Sequence, residues 1–332
     1  MQPVFIIGEQ RSGSNLLRLM LNNSTKIAAP HPPHILLRMK ELVPSYGSLQ
    51  KMENFKLLID DVCRLIDTNP VPWSKDNFNR EIIVDKCKDR SLIAIFKAVM
   101  DHYSEVNEAS MWVCKSMQNV RWYKELEAYF KKPKYIYLYR DPRDVTLSFQ
   151  KAVVGHKHPY CIAKKWTDLQ ALCIEARENI PENRFYNLKY ERLIENPEES
   201  LKDLCEFLEI EYNKEMLNYY NSNEAKNTAK VSMLWANVKS PLMRKNSGKY
   251  LKAMSKDDQA IVESVAHEVM DTLKYERKSV EQNFINFDQE MINKYNFEDK
   301  ELQSIAELKI NPEDLKRRKL QLEVIEEIKK RI

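Results

Sequence analysis

The sequence lacks the features that would place the chain in a membrane, in an oxidising compartment or on nucleic acid. No stretch approaches about 18 uninterrupted apolar residues, and the opening MQPVFIIGEQ has no basic region of a signal peptide, so we expect no membrane span and a cytoplasmic location. The six cysteines show no CxxC spacing, which favours free thiols over a disulfide framework or a zinc site. The net charge of +4 over 332 residues argues against nucleic-acid binding but allows a local basic pocket for an anion.

Short apolar runs separated by helical patterns predict an α/β fold. Buried strands are expected at residues 3–7, 111–114, 135–139 and 184–188. Helical spacing of apolar residues follows these runs, and strands that alternate with helices are typical of a parallel sheet with helices on both faces. The sequence therefore predicts a central parallel β-sheet flanked by helices.

Several helix starts carry a capping signal. Ser91, Asp141 and Ser255 each precede a helical pattern, and Pro142 suits the first turn of the second of these helices. Further helices are expected from Asn15, over residues 162–173 and over residues 198–208. The polar stretch 221–249 has no clear period and is predicted to be a loop.

The chain changes character beyond about residue 276, where it becomes highly charged. A final helix is expected from Asn311-Pro312, with an apolar stripe of Leu315, Leu322, Ile325, Ile328 and Ile332. We therefore divide the chain into a catalytic domain, 1–275, and a charged helical extension, 276–332. Packing of the stripe within the chain is the favoured interpretation, and a homodimer through this helix is the alternative.

The first polar motif is a phosphate-binding loop without its lysine. Residues 8–15 read GEQRSGSN, so Gly8, four residues and Gly13 are followed by Ser14 and Asn15 where a P-loop has Lys and Ser or Thr. The backbone N–H groups that cradle an anion remain, and Arg11 supplies a fixed positive charge inside the loop. The loop is thus suited to a phosphate ester whose chemistry needs no Mg²⁺, although a plain strand-to-helix turn is the alternative.

The second motif follows the apolar run at 135–139. Arg140 stands at the end of a predicted strand, and Ser148 lies about two turns along the helix that Asp141 caps. Ligands bind at the carboxyl ends of strands in open α/β sheets, so these two side chains can hold one anion together.

The two motifs, in this order, resemble those of the sulfotransferases that use 3′-phosphoadenosine 5′-phosphosulfate (PAPS). In that family a loop of the form xxRSGTTLL holds the 5′-phosphosulfate, and here it reads EQRSGSNLL. The resemblance covers roughly residues 3–275 and implies a P-loop-like sulfotransferase fold and a metal-independent transfer. It assigns the 3′-phosphate to Arg140 and Ser148, and the 5′-phosphosulfate to Arg11, Ser12, Gly13, Ser14 and Asn15.

Two weaker matches extend the resemblance. NLKYERLIENPEES resembles the family segment in which a tyrosine precedes Asn-Pro, which implies that Tyr190 contacts the adenine; a core aromatic is the alternative. RKNSGKYL resembles the late basic loop of the family and implies that Arg244 and Lys245 reach the 3′-phosphate, although Asn246 replaces the usual Gly. A solvated charge pair is the alternative there.

Sulfuryl transfer requires in-line geometry, charge neutralisation and a base for the acceptor hydroxyl. Arg11 is expected to stabilise the leaving phosphate. Lys115 resembles a lysine of some protein-tyrosine sulfotransferases that neutralises charge in the transition state; a surface lysine is the alternative. For the base we expect His31 or His34, held in the proline-rich segment APHPPHIL, in preference to four other groups: Glu41, His102, His156 and His158. His34 precedes an expected helix start at Ile35, so local structure fixes its orientation more than that of His31.

The acceptor is expected to be a small hydroxylated metabolite rather than a carbohydrate or a peptide tyrosine. Its pocket is expected in three variable segments, 35–80, 150–165 and 221–247, and the candidate aromatic residues are Tyr46, Phe55, Trp73, Phe78, Tyr160 and Trp235. Two other functions remain open: a P-loop nucleotide kinase or NTPase, and a protein that binds PAPS without catalysis.

Overall fold

A five-stranded parallel sheet forms the centre of the fold in the computed structural model, which describes residues 1–73, 78–278 and 284–331. The strands run in the order β2-β3-β1-β4-β5. They are β1 (Gln2–Ile7), β2 (Ile27–Ala28), β3 (Met111–Cys114), β4 (Lys134–Tyr139) and β5 (Phe185–Lys189). Every neighbouring pair is parallel. The α/β class and the four predicted strands are confirmed. The strand β2 was not predicted, because a strand of only two residues leaves no pattern in the sequence.

Helices surround this sheet. They are α1 (Ser14–Asn22), α2 (Ile35–Met39), α3 (Met52–Asp67), α4 (Arg80–Lys86), α5 (Leu92–Val106), α6 (Tyr123–Tyr129), α7 (Pro142–Lys151), α8 (Pro159–Asn179), α9 (Tyr190–Glu195), α10 (Pro197–Leu208), α11 (Asn223–Val231), α12 (Tyr250–Ala253), α13 (Lys256–Thr272), α14 (Gln289–Glu307) and α15 (Pro312–Arg331). Short 3₁₀ segments lie at Lys40–Tyr46, Met117–Trp122, Glu182–Arg184, Lys214–Asn221 and Met233–Lys239. Of the helices that the structure describes, none combines the length and the hydropathy that a bilayer crossing needs.

The central strand β1 is buried on both faces, because its side chains alternate between two apolar clusters. Phe5 and Ile7 point into a cluster that α3, α5, α8 and α13 cover. Val4 and Ile6 point into a second cluster that α1, α9 and α10 cover. The continuous apolar run at the start of the chain is therefore the signature of a strand with helices on both sides.

The strand order places a crevice at the end of β1. From β1 the chain moves to β2 and β3 on one side of the sheet and later returns to β4 on the other side. Connections that leave in opposite directions open a crevice between the carboxyl ends of the two strands, and ligands bind there in open α/β sheets. The loop after β1 and Arg140 after β4 both stand at this crevice.

The predicted helix caps are confirmed. The side chain of Ser91 accepts a hydrogen bond from the N–H of Ala94, and that of Ser255 from the N–H of Asp258. Asp141 accepts from the N–H of Arg143, at the start of α7. Each cap forms within three residues of its partner, which is why the sequence alone reveals it.

The prediction of a loop over 221–249 is wrong in its first half. That stretch contains α11 and the 3₁₀ segment Met233–Lys239. The buried face of α11 consists of Ala225, Thr228 and Val231, which are small or weakly apolar. Such a face gives little hydrophobic periodicity, so the sequence does not indicate this helix. Packing against the rest of the chain stabilises it.

The last helix packs within the chain, on α3. Val324 and Ile328 join the large apolar cluster, and the Gln321 side chain donates to the carbonyl of Leu65 at 2.7 Å. The stripe expected from the sequence is only partly the buried one: Leu315 and Leu322 are 47% and 55% exposed. The expected Ile325 is partly buried against the same cluster, and Ile332 lies outside the described residues. A homodimer through this helix stays a prediction, as does the division of the chain at residue 275.

Asp299 joins α14 to the segment that precedes α8. One carboxylate oxygen accepts from the main-chain N–H groups of Lys157 and His158, at 2.6 and 2.8 Å. The other lies 2.6 Å from the Nδ1 atom of His156. This buried carboxylate therefore holds the charged C-terminal part of the chain on the sheet domain.

Candidate active site

A cavity of about 690 Å³ opens at the crevice between β1 and β4. Ten of the thirteen residues that the sequence proposed as site residues line it. They are Arg11, Gly13, Ser14, Asn15, His31, His34, Lys115, Arg140, Ser148 and Tyr190. The remaining three are Ser12, Arg244 and Lys245. Segments that are far apart in the sequence thus converge on one cavity.

The loop after β1 is shaped by two glycines. Gly8 has φ +130°, and a Cβ there would lie 2.3 Å from the carbonyl oxygen of Leu138 in β4. Gly13 has φ +86°, and a Cβ there would lie 2.4 Å from the ring of Tyr190. Gly13 also caps α1 without any side-chain hydrogen bond, so no side chain competes with a ligand for the first N–H groups of the helix. This is the backbone arrangement of an anion site.

Arg11 connects the loop to the second motif. Its Nε donates to the hydroxyl of Ser148 at 3.0 Å, and its carbonyl accepts from Nη1 of Arg140 at the same distance. Burial and the nearby Arg140 charge both lower the pKa of Arg11. Two cations held this close repel each other, and a bound anion between them would relieve that repulsion.

Tyr190 lies between the two motifs. The Arg140 guanidinium stacks on its ring, 4.4 Å from the centre, and the Asn246 side chain donates to its hydroxyl at 2.6 Å. Nη2 of Arg140 donates to the main-chain carbonyl of Asn246, also at 2.6 Å. The carboxylate of Asp144 accepts from the N–H of Gly248, which holds this late loop against α7.

Three predicted site residues do not line the cavity. Ser12 is fully buried in the loop, and its hydroxyl has no hydrogen-bond partner among the described residues. Arg244 and Lys245 are exposed, whereas Asn246 and Lys249 of the same segment do line the cavity. The late basic loop therefore reaches the site through residues a few positions beyond the predicted pair.

His31 is buried and held by side-chain contacts. Its Nδ1 lies 3.2 Å from the Asn69 side-chain oxygen, and the Asn69 amide donates back to the His31 carbonyl at 2.7 Å. The Nε2 atom is buried without a hydrogen-bond partner in the described part of the chain. Burial, together with the charges of Lys115 and Arg18, lowers the pKa of His31 well below its ordinary value, so the ring is neutral.

His34 stands where the sequence expected a helix start, at the N-cap of α2, with φ +58°. Its side chain makes no capping hydrogen bond there. Burial and the charges of Lys115 and Arg38 lower its pKa to about 3. Local structure thus fixes the backbone of His34, whereas a side-chain hydrogen bond fixes the ring of His31.

Lys115 follows β3 and enters the same cavity. Its ammonium donates to the side-chain oxygen of Asn15 at 3.0 Å. Burial lowers its pKa to about 7, and the Arg18 charge acts in the same direction. Lys115 is therefore not a surface lysine, and Asn15, the residue that departs most from a P-loop, is its hydrogen-bond acceptor.

Three residues of the cavity were not predicted as site residues and carry no signal in the sequence: Asn69, Arg38 and Arg318. Trp235, one of the six aromatic candidates for the acceptor pocket, also lines the cavity. Its ring lies 4.7 Å from that of His31. The other five aromatic candidates do not line this cavity and are buried elsewhere: Tyr46, Phe55, Trp73, Phe78 and Tyr160.

Comparison with known proteins gives a consistent result. A family model described as "Sulfotransferase family" matches residues 3–214. A putative protein-tyrosine sulfotransferase of Caenorhabditis briggsae is 22% identical over 66% of this chain and 69% of its own length. An uncharacterised protein of Aquifex aeolicus is 23% identical over 70% of this chain, and the chain spans only 29% of that relative.

Solved structures with the same fold include two sulfotransferase domains. The domain from the curacin biosynthetic pathway has a TM-score of 0.58 at 20% identity, over 83% of this chain and 99% of its own. The domain from the Synechococcus PCC 7002 olefin synthase has a TM-score of 0.55 at 20% identity, over 80% and 94%. The family match covers well over half of the sequence and both anion motifs, and the chain therefore belongs to the sulfotransferase family.

Proposed function

We propose that the protein transfers the sulfuryl group of PAPS to a hydroxyl group of an acceptor. The observation that carries this proposal is the convergence of the two anion motifs. Arg11 donates to Ser148, which is 137 residues away, and accepts from Arg140, which is 129 residues away. The two motifs that these hydrogen bonds connect face one cavity. A donor nucleotide with one anionic group on its 5′ oxygen and another on its 3′ oxygen fits two linked cation sites.

The donor would lie with its 5′-phosphosulfate on the loop and its 3′-phosphate beside Arg140 and Ser148. The uncapped N-terminus of α1 and the Arg11 side chain would bind the 5′-phosphate and stabilise the charge that develops on it as it leaves. Tyr190, whose ring packs on Gly13 and on the Arg140 guanidinium, would contact the adenine. Lys115 would neutralise charge on the group in transfer.

His31 is the better candidate for the base. Its Nδ1 proton is directed at Asn69, which leaves the lone pair of Nε2 free to accept the proton of the acceptor hydroxyl. An orienting partner of this kind fixes the tautomer and the ring direction. His34 is also neutral, but no side-chain hydrogen bond orients it in the described structure. The negative donor would offset the Lys115 charge that lowers the pKa of His31.

A kinase or NTPase function is less consistent with the site. The loop lacks the lysine and the Mg²⁺-binding hydroxyl of a P-loop. Asn15 stands at the position of that hydroxyl residue, and its side-chain oxygen accepts a hydrogen bond from Lys115. The carboxylate after β4, Asp141, already accepts three hydrogen bonds from the N–H and guanidinium of Arg143. It is therefore a helix cap and an ion-pair partner rather than a Mg²⁺ ligand.

The first test is calorimetric titration with 3′-phosphoadenosine 5′-phosphate (PAP), the expected product. PAP with EDTA present is compared with ATP and Mg²⁺. We expect tight, metal-independent binding of PAP and weak binding of ATP. Preference for ATP with Mg²⁺ would overturn the proposal in favour of a degenerate kinase loop.

The second test separates catalysis from binding alone. Release of PAP from PAPS is measured with a panel of phenols and alcohols for His31→Ala, His34→Ala and the control His102→Ala, which lies outside the cavity. We expect normal PAP affinity in all three and loss of turnover in His31→Ala only. PAP binding without turnover in the wild type would identify a non-catalytic PAPS-binding protein, and turnover lost only in His34→Ala would move the base to that residue.

A further inference from the structure

The charges that line the cavity are almost all positive, including those away from the donor motifs. Among the described lining residues, seven carry a cationic side chain and one, Asp144, carries a carboxylate. The Asp144 oxygens accept from the N–H groups of Gly248 and Tyr250, at 2.7 and 3.1 Å. The anions of the donor explain the cations of the two motifs, but they leave others unexplained, among them Arg38 on α2.

Arg38 differs from the other arginines of the interior. Arg18 pairs with Glu224 at 2.7 Å, and Arg143 pairs with Asp141 and Glu263 at 2.7 and 2.6 Å. The side chain of Arg38 has no hydrogen bond or ion pair in the described part of the chain, and its Nη1 is buried without a partner. Burial alone lowers its pKa. The Arg38 side chain is partly buried, but its Nη1 is out of contact with solvent, and a buried donor is ordinarily paired, so the missing partner of Nη1 is expected to come from a ligand.

The position of Arg38 assigns this ligand to the acceptor end. It follows His34 by one helical turn, and its main-chain N–H donates to the His34 carbonyl at 3.0 Å. The Arg38 charge helps to lower the pKa of the His34 ring, and α2 is a separate segment from both donor motifs. Arg38 is thus one turn from His34, on the segment that carries both histidines, and not on the loop that would hold the 5′-phosphosulfate.

The C-terminal helix α15 forms another wall of the same end. Its Arg318 donates to the hydroxyl of Ser232 at 3.1 Å, and the guanidinium carbon lies 5.8 Å from the centre of the Trp235 ring. That ring in turn packs against His31. A second cation therefore approaches the acceptor end from the part of the chain beyond the matched family segment.

We propose that the acceptor is a hydroxylated carboxylic acid whose carboxylate is bound by Arg38 while its hydroxyl faces His31. This inference rests on the proposed sulfotransferase function and names its substrate class. One unpaired guanidinium matches one negative charge, and its planar fork of donors fits the two oxygens of a carboxylate.

The test compares acids with their neutral esters on the PAP-saturated protein. The probes are 3-(4-hydroxyphenyl)propionate, 6-hydroxyhexanoate and the methyl ester of each, and the variants are Arg38→Gln, Arg38→Lys and the exposed control Arg121→Gln. We expect at least one acid to bind the wild type and the control about tenfold or more tightly than its ester. Arg38→Gln should abolish this preference, and Arg38→Lys should retain part of it because the charge remains.

The outcomes separate the two proposals. Equal binding of acid and ester in the wild type, no binding of either acid, or a preference unchanged in Arg38→Gln would overturn the carboxylate subsite. Titration of PAP into each protein before it is saturated shows whether the donor site is intact. If the wild type does not bind PAP, the proposed function itself is refuted. If it binds PAP but does not prefer the acids to their esters, only the role of Arg38 is refuted. Should Arg38→Gln fail to fold, the partial preference expected of Arg38→Lys decides the question.

Discussion

Lys115 is expected to make the affinity for PAP depend on pH above neutrality. Burial lowers the pKa of this lysine to about 7 in the free protein, from an ordinary value of 10.5. An anion bound beside the ammonium favours the charged form and raises the pKa towards its ordinary value. Binding must therefore be accompanied by proton uptake wherever the free lysine is neutral and the bound lysine is charged.

The size of the effect follows from these two values. At pH 8 roughly 0.9 of a proton is taken up for each PAP bound, because about nine in ten free molecules have a neutral Lys115. Lys115 adds no pH dependence well below pH 7, and it makes the affinity fall by close to tenfold, about 1.4 kcal/mol, for each pH unit between pH 7 and the pKa of the bound state. The phosphates of PAP do not contribute above pH 7.5, since their second pKa lies near 6.

The assay is calorimetry at pH 7.5, 8.5 and 9.5, in buffers that differ in their heat of ionisation. Lys115→Met should bind more weakly than the wild type at pH 7.5, take up no such proton and have an affinity that is flat with pH. The exposed control Lys131→Met should behave as the wild type. A flat wild-type affinity between pH 7.5 and 9.5, or the same slope in Lys115→Met, would refute the reasoning.

Three more predictions concern the loop and the C-terminal part. Arg11→Ala and Arg140→Ala should each weaken PAP binding by about 1.5–3 kcal/mol in calorimetry, the range for hydrogen bonds to charged groups, and unchanged affinity in both would contradict the site. Gly13→Ala should lower the melting temperature and PAP affinity together, because the added methyl group would meet the ring of Tyr190 from a backbone with positive φ; a variant that melts and binds as the wild type does would exclude this close contact. Burial raises the pKa of Asp299, but the hydrogen bonds from His156, Lys157 and His158 lower it by more, so its stabilising effect is present above pH 3.8 and lost as the pH falls through the lowered pKa. Asp299→Asn should thus reduce the free energy of unfolding by urea at pH 7 and have a smaller effect near pH 3, whereas an equal effect at both would contradict the charge-assisted bond.

Features of the fold that depend on nearby residues could be predicted from the sequence. The apolar run Val4–Ile7 is too short for a helix and ends at a glycine, and Asp141 caps α7 from the position before a proline. The helix α11 was not predicted, because Ala225 and Thr228 become buried only when the rest of the chain packs on them. Local chemistry determines where an element begins, whereas burial of small residues depends on partners far away in the sequence.

In the site, too, features set by nearby residues could be predicted and those set by distant residues could not. Both anion motifs are contiguous, so Arg11 and Arg140 could be recognised before the structure was known. The choice between His31 and His34 depends on Asn69, which follows the first by 38 residues, and the sequence carries no signal for that contact. Arg38 lies in the short, mostly apolar helix α2, and what distinguishes it is that its Nη1 is buried without a partner among the residues that the structure describes.

The packing of α15 on α3 has a consequence for the chain during its synthesis. More than 240 residues separate the end of α3 from the start of α15. At the usual rate of translation, α3 waits about 10–50 s on the ribosome before the helix that packs on it at Leu65 is made. Through that interval the nascent chain exposes an apolar helix face, so binding of a chaperone to α3 would protect the chain from aggregation until α15 displaces it.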